Sequence, residues 1–196
     1  TDSTFCGVVP YYIAQILHKQ GKYQEVIDLA PTVLSCSVVN NEADIQHIIG
    51  DAYYQLAKYT EAISYLEKYH AKSKGTRDDF YELGFSYYKT NQFEKAIKNF
   101  DKVTRVDDSL GHISMYQIGD AYLKADKLLP ARSAFERASD MTSLPTIQED
   151  ALYQFAVISF KVDINPYDES VRAFENYLAR YPNTKRKSVV FQYLAV

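Results

Sequence analysis

His47 and Asp51 lie four residues apart, a spacing that places an imidazole and a carboxylate on one helix face and could begin a metal site. A surface hydrogen bond or ion pair is the preferred reading, because no His-Glu-x-x-His run adds a second imidazole. His18, His70 and His112 stand apart and read as solvent-facing or packing residues. The seven glycines fall at 7, 21, 50, 75, 84, 111 and 119, so no clustered phosphate loop exists, and Gly75 lacks the following Lys-Ser/Thr pair. Lys185-Arg186-Lys187 opens a helix after a Pro-Asn turn and reads as a solvated cluster, since neither a second basic run nor an aromatic platform accompanies it. No nucleophile with its base, metal constellation or phosphate cradle is legible. The expectation is therefore no enzyme, no cofactor and no metal.

The elements that carry these residues follow from composition and period. The chain has 196 residues, 46% hydrophobic and 24% charged, a balance that fits one domain or one continuous array rather than a disordered segment. Its 22 basic and 25 acidic side chains give a net charge of −3, which leaves no footprint for a phosphate backbone, so nucleic acid is excluded as an expected partner. No apolar run approaches the roughly 18 residues needed to span a bilayer. Seven Gly and six Pro are about half of the usual share of about 12%, which predicts helices joined by brief connections. Thr1 is not an initiator Met and no leader-like segment precedes the helices, so an excerpt or a processed chain is expected.

A repeat orders those helices. Ile49-Gly50-Asp51-Ala52-Tyr53, Leu83-Gly84-Phe85-Ser86-Tyr87 and Ile118-Gly119-Asp120-Ala121-Tyr122 share one pattern, and weaker copies at Ile13-Ala14 and Phe155-Ala156 set the marks at 14, 50, 84, 119 and 156. Twelve residues after the first four marks come Val26, Ala62, Ala96 and Ala131, with Ser170 delayed by two in the fifth. Apolar residues recur with helical spacing, so each unit is a helix pair whose small mark lets the two helices approach closely. Helices are predicted at 8–20, 23–35, 42–56, 59–72, 77–90, 93–105, 111–124, 129–140, 147–161, 167–180 and 186–196, with no strand. Pro31 should kink or shorten the second helix, making unit one the weakest. Asn91 with Glu94, Thr76 with Asp79 and Thr146 with Glu149 have capping-box spacing, and Val162 to Pro166 lengthens the fifth unit's inner turn. Within the first pair, Cys6 and Cys36 are each 15 residues from Gly21. They could meet at the roughly 4.4–6.8 Å Cα separation of a disulfide, but two unpaired thiols at helix ends is the preferred reading.

Phe80, Leu83, Gly84, Tyr87, Phe93, Ala96 and Phe100 stand where the tetratricopeptide repeat family places its signature residues, and the chain resembles that family over about residues 7 to 184. Units run at about 7–40, 43–76, 77–110, 112–145 and 149–184, with 185–196 the first helix of a further or capping unit of one array. Tyr181-Pro182-Asn183-Thr184 resembles the helix end of bacterial cell-envelope members, which favours periplasm or envelope, with cytoplasm the alternative. The resemblance implies an all-α, right-handed superhelical solenoid of antiparallel pairs, about eleven helices, whose first helices line a concave groove for a protein or peptide segment.

The same resemblance places Tyr11, His47, Tyr81, Tyr116 and Tyr153 in that groove, with Asp51, Phe85 and Asp120 four residues on and Glu82 and Gln117 nearby. Packing between adjacent first helices is the plainer reading of the tyrosines. Lys and Arg are missing from the positions that clamp a chaperone-tail carboxylate. Asp44, Asp51, Asp78, Glu82 and Asp120 make the wall acidic, so a basic or apolar partner is expected rather than an acidic one. The leading expectation is a non-catalytic interaction scaffold. Glycan binding on groove tyrosines is the alternative, and the absence of Trp weighs against it.

Overall fold

The computed structural model describes residues 3–36, 41–162 and 169–195, with side chains from residue 8 onward. Among them lie eleven helices and no strand: α1 (Ser3–Lys19), α2 (Tyr23–Ser35), α3 (Glu42–Gln55), α4 (Tyr59–Lys72), α5 (Arg77–Lys89), α6 (Phe93–Phe100), α7 (Ser109–Lys124), α8 (Leu128–Asp140), α9 (Pro145–Val162), α10 (Glu169–Arg180) and α11 (Lys187–Leu194). The long turn expected after Val162, and the junction at residues 37–40, lie outside the described residues.

Four turns within pairs share one conformation. Gly21, Ala57, Asn91 and Asp126 take φ of 72°, 57°, 60° and 57°, and the next amide reaches back over the helix end: Lys22 to Leu17, Lys58 to Tyr53, Gln92 to Tyr87 and Lys127 to Tyr122, at 2.8–2.9 Å. This left-handed residue followed by a six-to-one bond satisfies carbonyls that the ending helix leaves open. Asn91 is thus a turn residue, not the expected N-cap. The Thr76–Asp79 capping box does form, whereas Thr146 lies inside α9, which starts at Pro145. Asp108 supplies a cap the sequence reading missed, accepting from the Gly111 amide at 2.8 Å.

Pro31 does not shorten α2, which runs through it to Ser35, nor does Pro10 end α1. Instead it is α6 that is short. After Phe100 the chain tightens into three-residue turns, with the amides of Lys102 and Val103 bonded to Asn99 and Phe100. Cys36 is disulfide-bonded and no described cysteine is free, against the unpaired-thiol reading. The side chain of Cys6, the chain's other cysteine, lies outside the described residues.

The structure divides into two compact parts, residues 1–96 and 97–196. In the first, each helix from α1 to α5 packs on the next, and the first helices also touch in the order α1, α3, α5. Its core joins Ala14, Val26, Ala30, Val33, Ile45, Ile49 and Ala52. In the second, each helix from α7 to α10 packs on the next and α7 also touches α9, and a core across α9, α10 and α11 joins Leu152, Ala156, Phe174, Tyr177 and Val190. The small marks work as expected: a Cβ on Gly50 would lie 2.9 Å from Leu66, and one on Gly119 would lie 2.9 Å from the Phe135 ring. The nearest body is the bulky residue one turn beyond Ala62 or Ala131, while those alanines are fully buried beside it.

Candidate functional site

The first-helix face of the first part carries six of the residues expected at a binding surface, and it ties most of them to the neighbouring helix. Tyr11 on α1 donates to Asp44 on α3 at 3.2 Å and accepts from Gln15 at 2.7 Å. His47 and Asp51 do not pair with each other. His47 Nε2 meets Asp79 Oδ1 on α5 at 2.8 Å, and Asp51 is held by His18 on α1 and by Gln55 at 2.9 Å. Helix neighbours four residues apart were the expected partners, but residues one repeat apart are closer, because adjacent first helices pack side by side.

These contacts set the charge of the face. Burial alone would raise the Asp51 carboxyl, but the His18 and Gln55 hydrogen bonds outweigh it and hold the group below its ordinary value. Asp79 is likewise pulled well down against its burial, by His47 and by the Thr76 amide at 2.6 Å. The hydrogen bond to Asp79 raises His47 above the usual histidine range, against the effect of burial. Glu82 moves the other way. Burial, then the negative charges of Asp51 and Asp79, push its carboxyl up to about 9, so at neutral pH it is protonated and hydrogen-bonds Asp51. Its Oε2 is buried with no hydrogen-bond partner. The acidic wall inferred by counting carboxylates is therefore weaker than the count: Asp51 is paired with His18, Glu82 is neutral and Asp44 accepts from Tyr11.

Beside this polar chain lies an aromatic cluster. Phe85 stacks on Tyr81 at 5.9 Å and on Tyr88 at 6.1 Å, and meets Tyr54 and Tyr59 edge-on at 6.1 and 5.8 Å. The Lys89 ammonium sits 5.0 Å from the Phe85 ring. Tyr81, Phe85, Tyr54 and Tyr88 are each half-buried, which leaves ring surface accessible to a partner. Tyr54, Tyr59 and Tyr88 were not singled out from sequence.

The second part repeats the arrangement with other residues. Tyr116 on α7 donates to Asp150 on α9, which also receives the Arg186 guanidinium. That guanidinium lies 4.5 Å over the Tyr153 ring, so Arg186 is not the solvated residue expected from its basic cluster. Asp120 pairs with Lys124 at 3.2 Å, and the Gln117 Oε1 is buried without a partner. His112 is fully buried and its Nδ1 accepts from the Leu144 amide at 3.1 Å. One signal in the sequence could have found these pairs: an acid 32 to 34 residues after a donor, as in Tyr11 and Asp44, His47 and Asp79, or Tyr116 and Asp150.

Among the described residues no helix is long and apolar enough to cross a membrane. Residues 55–138 match the family model for anaphase-promoting complex, cyclosome, subunit 3, which is less than half of the chain. Comparison with curated proteins finds no significant sequence match. Among solved structures, the chain is similar to YrrB, described as a TPR protein with an unusual peptide-binding site, with a TM-score of 0.70 and 16% identity over 97% of this chain and 92% of that one. MamA gives a TM-score of 0.67 at 16% identity, covering 94% and 96%, and MamA from Desulfovibrio magneticus RS-1 gives 0.63 at 17%, covering 90% and 96%. The backbone, the turns within pairs and these likenesses agree on an all-α array of antiparallel helix pairs.

Proposed function

We propose that this chain, which has the tetratricopeptide-repeat fold, is a non-catalytic scaffold that binds a protein segment on the face formed by its first helices. The observation that carries this reading is the half-buried aromatic cluster around Phe85. Rings that pack edge-on and stacked are already ordered, so they contribute contact area with little further loss of rotamer freedom. A segment with an apolar anchor fits that cluster, and exposed Asp44 and Asp78 favour basic over acidic flanks. YrrB, similar in fold, is described as having a peptide-binding site, which supports the class of ligand. None of the similar proteins supports the glycan reading. The bonded Cys36 supports an oxidising setting such as a bacterial envelope.

The test is selection of peptides from a displayed random library on the immobilised chain, followed by affinity measurement on a Tyr81→Ala/Phe85→Ala variant. Selected peptides should share an apolar anchor and lose at least about tenfold in affinity on the variant, a loss of about 1.4 kcal/mol. Equal binding to a variant that keeps its helical circular dichroism would overturn the reading.

A further inference from the structure

The polar chain beside the aromatic cluster has an arrangement that interaction with a peptide does not require. His47, Asp79 and Glu82 come from two adjacent first helices and offer one donor atom each within 4.8 Å of the others, with His47 Nε2 2.8 Å from Asp79 Oδ1. We propose that His47, Asp79 and Glu82 form a binding site for a divalent transition metal ion of the zinc class.

Three observations carry this. The donor set is one imidazole and two carboxyl groups, with Glu82 releasing to solvent on coordination the proton it carries at neutral pH, a set that suits zinc and its neighbours and disfavours magnesium and calcium, whose sites are built from oxygen alone. His47 and Asp79 are held from behind. The other Asp79 oxygen is occupied by the Thr76 amide at 2.6 Å and the Tyr69 hydroxyl at 3.0 Å, which leaves Oδ1 directed at His47. The His47 ring packs on Tyr69 with centroids 4.7 Å apart. Such outer partners are what orient the ligands of a metal site. Finally, Glu82 Oε2 is buried with no hydrogen-bond partner, a state that costs free energy and that coordination would relieve.

Geometry permits it with little movement. Donors around a four-coordinate zinc with bonds of about 2.0–2.1 Å are about 3.3 Å apart. The His47–Asp79 separation of 2.8 Å is near that value, so a change on the scale of the Glu82 side-chain torsions closes the triad. Three protein ligands leave a fourth position for water or for a side chain of a bound segment, and His47 remains about one-third exposed at 34%, so an ion can enter.

The experiment titrates the purified chain, freed of any affinity tag and of metal by chelation, with ZnCl2 by calorimetry and with CoCl2 by visible absorption. One equivalent should bind with a dissociation constant of about 10 μM or tighter, and cobalt should show the intense bands of a four-coordinate ion. His47→Ala and Glu82→Gln should each weaken binding at least tenfold. Tyr69→Phe, which frees Asp79 from behind, should weaken it by about tenfold. Asp120→Asn, in the second part, should change nothing. Asp79 is not substituted, because its side chain closes the Thr76 capping box of α5. Absence of saturable zinc binding, or stoichiometric binding that survives the His47→Ala/Glu82→Gln double change, would overturn the proposal.

Discussion

Replacing Glu82 by Gln should stabilise the first part of the metal-free chain, and by an amount that grows with pH. The Glu82 carboxyl has an ordinary value of 4.5 and is pushed up to about 9 in the folded state. An acid raised in this way contributes most favourably below pH 4.5, and stability is lost as pH rises toward 9, because the unfolded chain ionises freely while the folded one must keep a proton. At about 1.36 kcal/mol per pH unit, the span from 4.5 to pH 7 costs on the order of 3 kcal/mol. Gln keeps the shape, and its amide can donate to Asp51 as the protonated carboxyl does, so the substitution removes the titration and little else. Asp51 and Asp79 are depressed and lose their contribution only below their ordinary values, outside this window. His47, which is raised, loses its contribution above its ordinary 6.5, but equally in both proteins. A repeat array need not unfold in one step. The readout is therefore hydrogen exchange of α3 and α5 amides, together with urea unfolding, at pH 6, 7 and 8.5. The variant's advantage should widen by about 3 kcal/mol across that range. Parallel curves for the two proteins would show that Glu82 is ionised in the folded state at neutral pH, and the reasoning would fail.

Other expectations follow from single contacts. Tyr116→Phe removes the hydroxyl that donates to Asp150 and should cost about 1 kcal/mol in thermal or urea unfolding of the second part, since Arg186 stays on the carboxylate. Gly119→Ala should destabilise by about 1 to 2 kcal/mol in the same assay, despite its better helix propensity, because the new methyl meets the buried Phe135 ring at 2.9 Å. Ala57→Gly should raise the melting temperature, relieving about 1 kcal/mol of strain at φ 57°. Peptide mapping without reductant should find Cys36 joined to Cys6, and reduction should speed exchange in α1 and α2, because closing a loop of about 30 residues is worth about 3 to 4 kcal/mol. A Cys36 disulfide between two chains would contradict that pairing.

The sequence carries the fold plainly and the site in fragments, for a physical reason. Helix pairs are specified locally: the glycine and alanine marks, the period of apolar residues and the turn positions lie within one unit, so element order and the close approach at Gly50 and Gly119 are legible. What fails is also local in cause. Asn91 and Thr146 have capping-box spacing, yet Asn91 adopts a left-handed turn and Thr146 lies within a helix that begins at Pro145. Residue types that cap also make turns, and spacing does not choose between those uses. Pro31 was expected to kink or shorten α2, but the helix is not shortened and runs through it to Ser35, as tertiary packing of Ala30 and Val33 on either side overrides a missing hydrogen bond.

Partners in the site are a different matter, because they are set between units. Tyr11, His47 and Tyr116 occupy the same repeat position, and each points to a carboxylate on the next first helix: Asp44, Asp79 and Asp150. A reading confined to one helix pairs His47 with Asp51 and sees five carboxylates as five charges. Stacked repeats convert that list into a chain of hydrogen bonds running from His18 through Asp51 to Glu82, beside the His47–Asp79 pair. The consequence is that a groove position in such an array cannot be assigned to ligand binding by its register alone. Tyr11, Tyr116 and Asp51 are committed to neighbouring helices, whereas Phe85 and Tyr81 pack against other rings and stay partly exposed. The aromatic cluster is thus the better candidate for a partner's anchor, and the carboxylates beside it are better understood through what they already hold.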